Sequence, residues 1–390
     1  MRICFVLTTP FALNAFVAPA IRALLARGDK VTVVVNAGAG PIAADIVGTI
    51  EIVDLEIARP IAPLRDLSSL LALFRLFRDQ RYDIVHSVTP KAGLLAMMAA
   101  RLAGIPMRIH TFTGQVWATR SGMMRWLLRS LDGLLAACAS ALLVDSVSQR
   151  DFLVEQKVAA PGRLHVLGEG SVAGVDTARF APQQHRRDEV RAALGVPADA
   201  VLLLYIGRMH AEKGVLELAE AFALLAPRHT GLHLLLVGPD EGALQPALAL
   251  LGTYRDRAQV IGLTSEPQNY MAAADIFCLA SHREGFGLSL IEAAATGLPC
   301  VASRIYGVTD AVVEDVTGLL VPVKDVDALA AALKLLADQP LLRQQMGANG
   351  RARAEKDFSQ DAVVAAWLNF YQQQFLELGL VTAEPGNGTA

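Results

Sequence analysis

Short, almost wholly apolar runs recur along the chain, separated by stretches with helical spacing of their apolar positions. In the first half these runs are "RICFVLTT", "KVTVVVN", "EIVDLEI", "DIVHSV", "RIHTFTG", "ALLVDS" and "LHVLGEG". Strands that are apolar on both sides and alternate with helices belong to parallel sheets covered on both faces. The series breaks at the polar segment "VDTARFAPQQHRRDE", which carries Pro182 and a charged cluster from Arg186 to Glu189, and the junction is placed between Asp176 and Arg187. It then restarts with "VLLLYIG", "LHLLLVG", "QVIGL", "DIFCLA", "PCVAS" and "GLLVPV". The fold class expected is α/β: two doubly wound, Rossmann-like halves, 1–180 and 181–358, facing across a cleft. Ser359 is a plausible N-cap for a helix over 359–378 that packs back toward the first half, and 379–390 is expected to be a disordered end.

The opening run resembles a signal peptide only superficially. Thr8, Thr9, Pro10 and Asn14 interrupt it, and Gly28 leads directly into "KVTVVVN", so strand, loop, helix and strand is the better reading. The longest clean apolar run, "GLLAACASALLV" from Gly133, falls short of the ~18 residues of a membrane span.

Composition narrows the classes. The chain has 390 residues, 53% of them apolar, and a net charge of −3, which gives no signature of nucleic-acid binding. Cys4, Cys138, Cys278 and Cys300 are far apart, lie in apolar runs and form no C-x-x-C, the pattern of reduced core thiols in a cytoplasmic protein. No H-E-x-x-H occurs, and no catalytic metal or other cofactor is expected.

Ligands of doubly wound sheets lie beyond the carboxyl ends of the strands. "LLLYIGRMHAEKG" ends a strand at Gly207, carries Arg208 and Lys213, and has Gly214 opening a helix. Glycine lets backbone approach a ligand, a helix start offers free N–H groups, and two cations suit a diphosphate. The loop is not a Walker A loop, since no G-K-[ST] follows at the required spacing. "EGFGLSLIEAAATG" begins beyond another strand: Glu284, Gly285, Phe286 and Gly287 form the loop, and Leu288 or Ser289 starts the helix. Glu292 sits one turn in. An ionised carboxylate only accepts hydrogen bonds, and the adjacent hydroxyls of a ribose are matched donors. Taken singly, Glu284 reads as a surface charge and Glu292 as an acid stabilised by the helix dipole.

"GRMHAEKG" followed about 75 residues later by "EGFGLSLIE", with "TGLP" at Thr296 to Pro299 and "TGLLVP" at Thr317 to Pro322, resembles the retaining glycosyltransferases of family 4 over nearly the whole chain. That resemblance implies the GT-B fold and a metal-independent transfer from a nucleoside-diphosphate sugar, UDP-linked as a family-level choice. It implies that Arg208 and Lys213 hold the diphosphate, Glu292 the ribose and Glu284 the donor sugar, with Gly207 and Gly285 to Ser289 completing the donor site. Retention in this family is described as front-face attack, so no protein nucleophile is assigned. The catalytic set expected is His110, Arg208, Lys213 and Glu284. His110, in "MRIHTFTGQVW", is expected at a strand end near the reacting centre, with Thr8, Thr9, Asn14, Thr113 and Gly114 on the acceptor side. Relatives have a glycine pair where this chain has "TTPFALN", and "GEGSVAGVD" has Ala173 in place of the usual asparagine. A glycan or polyprenyl-diphosphate-linked acceptor in bacterial surface polysaccharide assembly is the partner implied.

Two surface features remain. "DVD" at Asp325 to Asp327 precedes "ALAAALKLLA" and reads as helix capping rather than a metal-binding D-x-D. Arg120, Arg125 and Arg129 with Trp117 and Trp126, and the similar "LRDLSSLLALFRLFRDQR", are what a helix lying on anionic lipid needs, which would place the protein at the inner face of the cytoplasmic membrane. The rival readings are a non-hydrolysing sugar-nucleotide epimerase and a non-catalytic sugar-nucleotide-binding partner. A dinucleotide oxidoreductase is disfavoured, because Leu290 stands where a third glycine belongs.

Overall fold

The computed structural model describes residues 1–58 and 62–379. Most of the tail expected at 379–390 lies outside the described residues.

The first seven apolar runs form one parallel sheet: β1 (Arg2–Val6), β2 (Lys30–Val35), β3 (Glu51–Asp54), β4 (Ile84–Val88), β5 (Met107–Phe112), β6 (Ala141–Val144) and β7 (Leu164–Val166), in the order β3-β2-β1-β4-β5-β6-β7. The next six form a second: β8 (Val201–Ile206), β9 (Leu232–Val237), β10 (Ala258–Ile261), β11 (Ile276–Leu279), β12 (Cys300–Ser303) and β13 (Gly318–Val321), ordered β10-β9-β8-β11-β12-β13. Every pairing is parallel. Each sheet reverses strand order at its first strand, so the crevices open beyond β1 and β8.

Central strands are buried along their whole length because helices cover both faces. Ile84–Val88 and Ile276–Leu279 are buried at every residue. All four cysteines are free and buried, and burial pushes the thiols of Cys4, Cys278 and Cys300 upward, as expected of core residues. Arg187 and Arg191 converge on Asp275 at 2.7 and 3.1 Å, and Asp275 also accepts the Leu202 N–H at 2.7 Å. This buried cluster ties the first helix of the second half to the starts of β8 and β11.

The last helix, Gln360–Glu377, is capped by the Ser359 hydroxyl and lies on the first sheet. Its Val363, Trp367, Phe370, Tyr371 and Phe375 share a core with Ile3, Phe5 and Leu24. His86 of β4 stacks on Trp367 at 4.8 Å and bonds both Tyr371 Oη (2.5 Å) and Thr111 Oγ1 (2.7 Å). Each such buried apolar side chain contributes roughly 2–3 kcal/mol, so this helix holds the two halves together. Asp325 caps the helix Val326–Asp338 through the Ala328 N–H at 2.9 Å, the capping role expected of the first acid of "DVD".

Trp117 departs from expectation. It is fully buried, donates to Asp132 Oδ2 at 2.7 Å and stacks on Phe152 at 5.3 Å, so it is not available to a lipid surface. Trp126, 60% exposed, remains outward with Met123 and Met124.

Candidate functional site

The loop after β8 is shaped by glycines. Gly238 stands against Gly207, where a Cβ on Gly238 would collide with the Gly207 carbonyl. Gly214, at φ 71°, seats the start of the helix Val215–Leu225 directly on the Ala280 carbonyl at the end of β11. That contact brings the two candidate loops together. Lys213 Nζ lies 2.7 Å from Glu284 Oε1, and the same oxygen accepts from Ser281 Oγ at 2.8 Å. Arg208 pairs with Glu241 near the rim, and its carbonyl accepts from Tyr205 Oη at 2.7 Å.

Gly287, at φ 85°, precedes the helix Leu288–Ala295, whose first N–H groups are left free at its amino end. Glu292 is its fifth residue, too far in for the first-turn dipole to explain its charge. Among the described residues no side chain or backbone N–H donates to its carboxylate. Burial raises its pKa to about 7, and the charge of Arg179 pulls the other way. An underused, partly buried acceptor on the helix that starts beside the Lys213–Glu284 contact suits the hydroxyls of a nucleotide ribose.

The first half meets this loop at the ends of β5 and β6. Thr113 and Gly114 follow β5. A Cβ on Gly114 would lie 2.9 Å from Gly285 N, and one on Gly285 would lie 2.7 Å from Gly114 N. Arg283 reaches across to the Gly114 carbonyl at 3.2 Å and to Glu212 at 3.2 Å, and Glu212 accepts from Thr119 at 2.8 Å. Gln149, fully buried, donates to the Thr113 carbonyl at 2.8 Å and accepts the Asp145 N–H at 2.6 Å. Ser148 closes a second bridge: it donates to Asp310 and accepts the Gly307 N–H at 2.7 Å. Tyr306 stacks on Phe152 at 4.5 Å. The facing loops are therefore in contact, with glycines where the backbones come nearest.

His110 does not reach this place. β5 continues past it to Phe112, and the histidine points between β5 and the helix Pro90–Leu102, where a Cβ on Gly93 would collide with its ring. It is 1% exposed, bonds Ser87 Oγ at 2.9 Å and packs edge-on against Phe112. Burial lowers its pKa to about 3. Its expected position at the reacting centre is corrected: the side chain is a core group, and Thr113 and Gly114 occupy the strand end. Asn14 is likewise occupied, since its amide donates to the Pro41 carbonyl (2.9 Å) and accepts the Ala43 N–H (3.0 Å). Thr9 caps the turn after β1 through Ala12 N at 3.3 Å, and Thr8 is buried beside it. Asp145, Gln149, Arg283 and Tyr306 escaped the sequence reading. For Asp145 a signal existed, an acid directly after the apolar run "ALLV".

No group of three or more metal-ligating side chains occurs among the described residues.

Comparison with known proteins gives two family matches, "Glycosyl transferase 4-like domain" over 12–170 and "Glycosyl transferases group 1" over 186–353. The chain is 31% identical to the capsular polysaccharide biosynthesis glycosyltransferase CapM of Staphylococcus aureus, over 78% of this chain and 80% of CapM. It is 28% identical to an Escherichia coli UDP-Gal:alpha-D-GlcNAc-diphosphoundecaprenol alpha-1,3-galactosyltransferase, over 73% and 74% of the two chains. Among solved structures it resembles Anabaena HepE in complex with UDP and glucose, with a TM-score of 0.80 at 19% identity, over 95% and 99% of the chains.

Proposed function

Given that the chain belongs to the group 1 glycosyl transferases, with the GT-B fold, and is a glycosyltransferase, we propose that it moves a sugar from a UDP-sugar to a hydroxyl of a lipid-linked glycan acceptor, with retention of anomeric configuration, in surface polysaccharide assembly. The observation that carries the donor reading is the Lys213–Glu284 contact, which joins the Arg208–Lys213 loop to the loop leading into Leu288–Ala295, the helix that carries the underused carboxylate of Glu292. Similarity to CapM and to the galactosyltransferase, whose name specifies a diphosphoundecaprenol acceptor, supports the choice of acceptor. The HepE complex supports UDP.

In this reading the diphosphate exchanges places with the carboxylates that hold the cations in the free protein. Arg208 leaves Glu241, and Lys213 turns from Glu284 to phosphate. Glu284, released, accepts from a hydroxyl of the transferred sugar, while Glu292 accepts from the ribose. As the glycosidic bond breaks, negative charge grows on the diphosphate, and Arg208, Lys213 and the N–H groups of Leu288 and Ser289 stabilise it. No metal is called for. Contact of Gly114 and Gly285 excludes water from the reacting centre. Glu284 and Glu292 are not an acid–nucleophile pair, because a diphosphate leaves without a strong acid.

The acceptor reading extends to the membrane. Met123, Met124 and Trp126 on the helix Gly122–Cys138 and Leu64, Leu67 and Leu71 on Pro63–Gln80 are exposed on two helices that both pack on Pro90–Leu102, interspersed with arginines. Among the described residues no helix is long and apolar enough to cross a membrane. Co-sedimentation with vesicles rich in anionic lipid, lost on Trp126→Ala with Met123→Ala, is the expected behaviour.

The deciding experiment is a melting panel with UDP, GDP, ADP and NAD, each with EDTA. A ligand at 100 times its Kd adds about 2.7 kcal/mol of stability. UDP alone should stabilise, and no shift with any nucleotide would refute the donor site.

A further inference from the structure

Asp145 follows β6 at its carboxyl end, on the wall that faces the Glu284–Gly287 loop. Its main chain is fixed on both sides: the N–H donates to Gln149 Oε1 at 2.6 Å, and the carbonyl accepts from the Ser171 N–H at 2.7 Å. The residue is 5% exposed. Its Oδ2 fills the space above Gly285, where a Cβ would collide with it, and its Oδ1 is buried with no hydrogen-bond partner among the described residues. No cation pairs with it there. The charge it feels most is that of another carboxylate, Glu284, which Lys213 and Ser281 already engage.

A buried, unpaired carboxyl oxygen is a standing cost to the fold, and it calls for an explanation. The surroundings specify what could satisfy it. A diphosphate would be repelled. A neutral hydroxyl is suited, because a carboxyl oxygen accepts from O–H without needing a cation. The group faces the donor loop, at the point where Glu284 and Gly285 meet Thr113 and Gly114, and not the open surface.

Resting on the donor-site reading above, we infer that Asp145 hydrogen-bonds a hydroxyl of the transferred sugar from the wall opposite Glu284, and so helps select which sugar is moved. Two carboxyl groups on opposite walls would then read two hydroxyls of one ring. Inverting a hydroxyl that Asp145 reads would leave this buried oxygen unsatisfied in the complex, which is a strong basis for rejection.

The test compares the wild type with Asp145→Ser, which withdraws the carboxyl, and with Asp145→Asn, which keeps the shape and one acceptor oxygen and serves as the conservative control. UDP affinity is measured by calorimetry. Sugar transfer or donor hydrolysis is followed as UDP release from UDP-glucose, UDP-galactose and their 2-acetamido counterparts. UDP affinity should stay within about twofold of the wild type. The kcat/KM of Asp145→Ser for the preferred donor should fall about 10- to 100-fold, the range for leaving a buried polar partner without its hydrogen bond. Its preference over the epimeric donor should fall as well. Unchanged kcat/KM and unchanged preference in Asp145→Ser would overturn the assignment, as would a parallel loss of UDP affinity. If the wild type binds UDP but none of these sugars more tightly than UDP, the sugar contact is refuted while the nucleotide site stands. If it binds no UDP, the donor-site reading falls and takes Asp145 with it.

Discussion

Substituting Gly114 by alanine separates closure of the cleft from folding of the chain. Gly114 does not occupy the left-handed region of backbone space, so alanine is compatible with its local conformation. On chain entropy alone the change should stabilise the fold by about 0.4–1 kcal/mol. Across the cleft the added methyl would meet Gly285 N at 2.9 Å, Glu284 C at 3.0 Å and Glu284 O at 3.3 Å. Carbon atoms in comfortable contact sit about 3.5–4.0 Å apart. The facing loops must therefore part by roughly 0.5–1 Å, and all three neighbours are backbone atoms that cannot rotate aside. The Arg283 bond to the Gly114 carbonyl, already 3.2 Å, lengthens with them. Misplacement of reacting groups by ~1 Å can cost about 100-fold in rate. Gly114→Ala should thus lower kcat by about 10- to 100-fold while leaving UDP affinity within roughly threefold, since Arg208, Lys213 and Glu292 all lie on the second half. Turnover is followed as UDP release, affinity by calorimetry, and small-angle scattering should report a larger mean radius. An unchanged kcat would refute the reasoning, and so would a collapse in melting temperature, which would show the contact to be part of the fold and not of closure.

Glu292→Ala should weaken UDP binding about 10- to 100-fold, the value of one or two hydrogen bonds to a charged acceptor, without lowering the melting temperature of the free protein. Since burial holds the Glu292 pKa at about 7 and ribose hydroxyls favour the carboxylate, wild-type UDP affinity should fall between pH 8 and pH 6, and that dependence should vanish in the variant. His110→Asn should leave kcat per folded molecule near the wild-type value and cost roughly 1–3 kcal/mol of stability at pH 8, read by urea unfolding. The folded protein keeps His110 neutral down to about pH 3, whereas the unfolded chain binds that proton below about pH 6.5. This histidine therefore withdraws stability as pH falls through 6.5, and the deficit of the variant should shrink by ~2 kcal/mol on going from pH 7 to pH 5. A tenfold loss of turnover in His110→Asn would return the histidine to the reaction.

The architecture was legible because its signal is local. Strands buried on both faces must be apolar throughout, and a run such as "IVHSV" or "IFCL" carries that requirement in consecutive residues. The capping by Ser359 and Asp325 is equally short-range, a side-chain oxygen and an N–H three residues on. What the run pattern misjudged is where strand gives way to loop. In "RIHTFTG" the polar His110 looked like a strand end, yet it and Thr111 are both satisfied inside the sheet: His110 by Ser87, and Thr111 by His86. Those partners are 23 and 25 residues away on a neighbouring strand, whose parallel register sets Ser87 opposite His110 and leaves His86, opposite Ile109, diagonal to Thr111 on the same face.

The same distinction explains why the two walls of the site differ in how far they could be read. On the second half each proposed donor contact is carried by a short local segment. Gly207 and Arg208 sit beyond β8, Glu284 to Gly287 lie between β11 and the helix they cap, and Glu292 follows from the helical repeat. On the first half no loop is self-sufficient. Thr113 is held by Gln149 from the helix after β6, Asp145 by Gln149 and Ser171, and the Gln115 N–H donates to Tyr306 of the opposite half at 3.3 Å. These groups acquire a role only when the sheets face each other. In the proposed reading the nucleotide side is thus a property of short segments, and the side assigned to sugar discrimination is a property of the assembled cleft. Substitutions that change sugar choice without touching nucleotide affinity should accordingly concentrate at the ends of β5 and β6, and Asp145 is the first position at which that expectation can be tested.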